Sequence, residues 1–218
     1  TRRSSDLLSR ALNGSGLNKT VNFGILSFDA NANITLNGRD GYNATFAGVS
    51  GVMNWASGGT LTIANSSDGI LTLNASINRL SEGTARPFAW NGNGESVLTG
   101  SILQTGAGPV SFSKGGQSLL TIQGNASSYT GSTFVNAGTL AVRSIGGATG
   151  GGLGGVAGGA LNLGATTVTG TFNYIGSGET TAKEINLAGT TGAGVILANQ
   201  QGISPTALVF TSSISAGG

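Results

Sequence analysis

Leu73, Val97, Leu120, Leu140, Leu161, Ile185 and Leu208 recur along the chain at a nearly constant interval. Around them run short stretches of alternating apolar and polar residues, such as Ile70-Leu71-Thr72-Leu73, Thr139-Leu140-Ala141-Val142 and Leu161-Asn162-Leu163. Alternation with a period of two marks strands. Gly, Asn and Ser punctuate them, the residues that turn a chain sharply. A repeat in the low twenties is the signature of a solenoid, in which each unit buries its apolar side against the next. A leucine-rich repeat of that length needs a Leu-x-x-Leu-x-Leu-x-x-Asn run, and the chain has none. Two or three short strands per repeat describe a parallel β-helix instead.

The expected fold is therefore all-β, a right-handed parallel β-helix over residues 21–218. Leu, Ile, Val and Phe would line its interior, and Thr, Ser and Asn would face water. The 40 Gly residues supply left-handed corners. Residues 1–20 stand apart. Ser4-Ser5-Asp6 ahead of Leu7, Leu8, Ala11 and Leu12 has the pattern of a helix N-cap before an apolar stripe. It predicts a short amphipathic helix that caps the first coil. The alternative for the same segment is strand exchange with a neighbouring molecule. A second irregularity, the Gly-rich run near residues 146–159, predicts a loop bulging from one coil.

Several function classes fall away on residue content. The chain has no Cys and no His, which removes disulfides, thiolate metal sites and His-dependent triads. Charged residues make up 8% and the net charge of +2 is scattered, so nucleic acid is not an expected partner. No apolar run reaches the ~18 residues of a membrane-spanning helix, so membrane insertion by this segment is not expected. Parallel β-helices that cut polysaccharides need paired carboxylates on adjacent coils. The nearest pairing one coil apart, Asp68 with Glu95, is what chance spacing produces. The expectation is a non-enzyme with no catalytic, cofactor-binding or metal-binding residues and no cofactor. Trp55 and Trp90 are the candidate aromatics for stacking on a glycan.

Residues 120–140 read LTIQGNASSYTGSTFVNAGTL. Tyr129, Thr130, Gly131, Thr133, Val135, Asn136, Ala137, Gly138, Thr139 and Leu140 form a pattern that resembles the autotransporter-associated β-strand repeat of bacterial passenger domains. Ser132 and Phe134 depart from that repeat's commonest choices. The resemblance implies export, a parallel β-helix, and display at the bacterial cell surface or release from it. The function it implies is that of an extracellular structural or adhesive module. The implied partners are other cell-surface or matrix components, glycans among them, or further copies of the chain joined end to end in a filament.

Overall fold

The computed structural model describes residues 5–8, 17–27, 33–50, 53–54, 60–80, 83, 85–146, 150–155, 159–199 and 206–217. Among these, every regular element is a strand, and every strand pairing is parallel. Two long walls result. The first has nine strands: Ser5–Leu8, Asn33–Gly38, Leu61–Asn65, Arg86–Asn91, Val110–Lys114, Thr133–Val135, Leu161–Thr166, Ile185–Gly189 and Ile214–Ala216. The second has eight: Thr20–Ser27, Asn43–Ser50, Leu71–Leu73, Ser96–Leu98, Leu119–Ile122, Gly138–Val142, Gly170–Tyr174 and Gly194–Ala198. A third side is discontinuous. Met53–Asn54, Ile77–Leu80 and Ile102–Thr105 form one patch, and Glu179–Thr181 with Leu208–Phe210 another. The chain visits the first wall, then the second, then the third side, coil after coil, which is a β-solenoid.

Stacking in register turns alternation into continuous interior ladders. On the first wall, Leu61, Phe88, Phe112, Thr133, Leu161 and Ile185 lie one above another, all buried. On the second wall the ladder is Leu73, Leu98, Ile122, Val142 and Tyr174, also buried. Each coil is thus roofed by its neighbours, which is how a thin rod keeps an apolar core.

The structure corrects the periodic series in register. Val97 faces outward, between Thr72 and Thr121. Leu120 sits above Ser96, and Leu161 is on the other wall from Leu140. Coils are not of equal length. The stretch of chain from Ile122 to its partner Val142 is much shorter than the stretch from Val142 to its next partner, Tyr174. The mean period survives, but a fixed step crosses from one wall to the other wherever a corner lengthens.

The expected N-terminal helix is also corrected. Ser5–Leu8 is a strand, paired in parallel with Thr35–Gly38. The strand Asn33–Gly38 offers a row of N–H and C=O groups on that side, and only another strand pairs with them. A helix laid across that edge would leave them unmet. The remainder of residues 1–16 lies outside the described residues, as do 147–149 and 156–158 of the Gly-rich run. The described part of that run packs against the coil. Gly146 and Gly151–Gly154 are buried. Gly152 N donates to Ser144 O (2.9 Å), Leu153 N to Ile145 O (3.0 Å), and Ser127 N to Gly151 O (2.8 Å). Glycines on either side let the backbone lie flat against the coil while Leu153 enters the core.

One corner column carries much of the geometry. Gly92, Gly116 and Gly138 turn the chain from the first wall to the second in consecutive coils, all with positive φ (100°, 74° and 64°). A methyl group built at Gly116 would fall on the Gly92 carbonyl and lie 2.9 Å from Gly92 N. At the head of the column, buried Asn65 donates from Nδ2 to Gly69 O (3.0 Å) and to Glu95 O (2.7 Å). Its Oδ1 accepts from Ser67 N and Ser67 Oγ.

Candidate functional site

The residues of the repeat pattern build wall and corner. Tyr129 is fully buried, and its hydroxyl pairs with that of buried Thr133 at 2.6 Å. Thr130 donates from both N and Oγ1 to Gln104 Oε1 of the preceding coil (3.0 and 3.2 Å). Gly131 N donates to Val110 O, Asn136 N to Lys114 O and Thr139 N to Ser118 O. Val135 and Leu140 are interior, Ala137 is buried, and Gly138 is the left-handed corner. The ten positions specify one coil and its fit to the coil beneath.

Trp90 is corrected as a ligand-facing aromatic. It is 1% exposed and packs edge-on to Phe88, with ring centres 6.2 Å apart. Arg86–Asn91 alternates, and the parity that puts Phe88 inside puts Trp90 inside too. Its Nε1 is buried without a hydrogen-bond partner among the described residues. Trp55 lies outside the described residues. Among the described residues, the large aromatic that does face outward is Phe134, 36% exposed in the middle of the first wall. Register explains it: Thr133 continues the interior ladder above Phe112, so Phe134 falls on the outer face above Ser113 and next to Asn162. The signal for it in the sequence is its departure from the repeat.

Two buried lysines escape the sequence reading. Lys114 continues the interior row between Trp90 and Val135. Its Nζ reaches carbonyls in the corner column: Gly115 O (2.7 Å), Gly116 O (2.9 Å) and Ala137 O (3.4 Å). Lys183 Nζ donates to Leu153 O (3.0 Å) and Gly155 O (3.1 Å) in the Gly-rich run. Alternation from Val110 through Phe112 is the signal that places Lys114 inside. The same coil's other side chains work with Lys183. Thr181 Oγ1 donates to Gly146 O (2.8 Å), and the Glu179 carboxylate accepts from Ile145 N and from Ser144 Oγ. Glu179, Thr181 and Lys183 thus give side-chain hydrogen bonds where the Gly-rich backbone offers no regular ladder.

Comparison of the chain with protein-family models, with curated proteins and with solved structures returns no match.

Of the acidic pair weighed for catalysis, Asp68 uses Oδ1 to accept from Gly41 N (3.2 Å). Glu95 contributes its main-chain carbonyl to Asn65 Nδ2 and to Leu71 N. Asp68 thus enters the corner through its carboxylate, and Glu95 through its main chain, with its side chain exposed. Among the described residues, no group of three or more acidic side chains converges as a metal site.

Burial pulls both lysines down from 10.5 to about 8. Between about 8 and the unfolded value, the unfolded chain binds more protons, so stability rises with pH in that window. Burial pushes the Tyr129 hydroxyl up, opposed in part by Thr133. Unfolded tyrosine ionises at about 10, so that group withdraws stability above this point. The expected melting temperature climbs from about pH 8 towards 10 and then turns down. Thermal denaturation across this range checks it. Combined Lys114→Met and Lys183→Met should flatten the climb and keep the downturn, whereas an unchanged climb would count against the lysines as its source.

Proposed function

We propose that the chain is a non-catalytic extracellular structural and adhesive module of a bacterial surface protein. Its task is mechanical, to hold outward-facing side chains away from the cell on a stiff rod. The observation that carries this reading is the pair of unbroken nine- and eight-stranded parallel walls around one apolar interior. Nine strands at the usual spacing make a rod roughly 40 Å long. The likeness of residues 120–140 to a passenger-domain repeat supports the extracellular setting. Cells displaying the chain should adhere to matrix- or host-coated surfaces better than cells displaying none. Equal adhesion across a panel of such surfaces would remove the adhesive half of the proposal.

A second reading has its own observation. The last coils expose Ile196, Leu197, Val209 and Ile214. A further parallel coil, whether from the same chain or from another copy, would cover these apolar side chains. Supplied by another copy, that coil makes a head-to-tail filament. Electron microscopy over a concentration series is expected to show fibres if so, and rods of constant length if not.

A further inference from the structure

We infer that the outer face of the first wall around Phe134 is a binding platform for an uncharged glycan. The inference deepens the adhesive reading above and rests on it for its biological setting. Its starting point is the one large aromatic that the described structure exposes in mid-rod. An outward Phe on a solvated sheet is not needed for the core, since the interior ladders beside it are complete without it.

The surroundings define the ligand chemistry. The outward row through Phe134 runs Thr62, Ala89, Ser113, Phe134, Asn162, Asn186 and Ser215 in register. No member of that row is charged. Beside it, Ser111 stacks on Pro87. The hydroxyls of Ser111 and Ser113 have no hydrogen-bond partner among the described residues. Asn162 is committed internally, donating to Thr133 O and Ala160 O and accepting from Asn186 Nδ2 at 2.9 Å. That ladder locks the floor on one side of Phe134 and leaves the free hydroxyls on the other.

A ring face and adjacent free hydroxyls match a neutral pyranose, and the one charge on the flanking row through Ser111, Ser132 and Ala160, exposed Glu184, is acidic and repels anionic polymers. The sugar's axial C–H groups lie on an aromatic ring while its hydroxyls exchange hydrogen bonds with side chains. Anionic polymers would find no cation on this row. Neighbouring strands lie ~4.8 Å apart, close to the width of one sugar ring, so a glycan along the rod axis meets one coil per sugar unit.

Isothermal titration and affinity electrophoresis with cellohexaose, chitohexaose and heparin test the platform. Saturable binding of at least one neutral oligosaccharide, with none of heparin, is expected. Phe134→Ser should weaken it about ten-fold, the size of one lost aromatic contact, and Phe134→Trp should preserve it. Ser113→Ala should weaken it by a smaller factor. An unchanged circular dichroism spectrum and melting curve confirm that each variant folds. No binding of either neutral oligosaccharide, binding indifferent to Phe134→Ser, or preference for heparin would each overturn the inference. The same variant on displaying cells separates the two proposals. Adhesion that survives Phe134→Ser leaves the adhesive role standing without this platform, and glycan binding without adhesion does the reverse.

Discussion

Gly116→Ala is expected to cost about 4 kcal/mol or more and to split the cooperative unfolding of the rod. Two effects add. The positive φ of 74° is costly for any residue with a Cβ, by roughly 1 kcal/mol. The larger effect is collision with the coil beneath. The new methyl meets the carbonyl of Gly92 and lies 2.7 Å from its carbon, and these are backbone atoms held in a parallel stack. Neither can rotate away. The two coils must separate at this corner, and the carbonyls that hold the Lys114 ammonium move with them. Because a coil touches only its neighbours, the damage divides the rod into two weaker halves. Calorimetry should show two transitions in place of one. Gly24→Ala is the control, since a methyl there meets nothing within 4 Å and φ is ordinary. It should be neutral or stabilise by up to about 0.5–1 kcal/mol. Equal losses in the two variants would mean that the column is not the constraint described.

The sequence announces the fold class through alternation and period, because both are local consequences of a strand that must bury one side. Register is beyond it. Coil length is set at the corners, and a corner of Gly, Asn or Ser accommodates extra residues with little penalty visible in the pattern. Hence Leu140 and Leu161 look like successive rungs but belong to different walls, and the true rung above Leu140 is Phe172. The segment Ser5–Leu8 misleads for a related reason. Its apolar spacing fits a helix, but the open edge of Asn33–Gly38 selects a strand. Tertiary demand overrides a four-residue preference.

The platform is half legible. Size favours tryptophan for sugar stacking, and the sequence draws attention to Trp90 on that ground. Trp90 is inside because its strand places it in line with Ile63 and Lys114. Lys114 is hidden by the general rule that charge faces outward. In this corner, main-chain carbonyls of two coils converge on the interior and need donors. A lysine supplies up to three without needing an acid nearby.

Two phenylalanines on the first wall should respond to truncation in opposite ways, and that contrast tests the register itself. Phe112 is fully buried. Its ring lies 5.4 Å from that of Phe88 and 6.3 Å from that of Tyr129. Phe112→Ala should cost about 3–5 kcal/mol, combining lost apolar burial with a cavity that a stacked rod cannot close. Phe112→Leu refills most of that space and should cost less, roughly 1–1.5 kcal/mol. Phe134 stands outside, so Phe134→Ala should change stability by no more than about 0.5 kcal/mol. Residue type alone does not tell the two apart, for each is a Phe amid small polar residues and Val. What separates them is a single step of register, Phe112 opposite Thr133 and Ser113 opposite Phe134. A slip of Thr133–Val135 by one would turn Phe134 into the core while Phe112 stayed opposite Phe88, because each strand's side chains alternate between core and solvent. Chemical denaturation of the two alanine variants therefore reads the register directly. A severe loss at Phe112 with none at Phe134 fixes Phe134 on the outer face, where the glycan platform needs it. The reverse order would place Phe134 in the core and remove the platform with it.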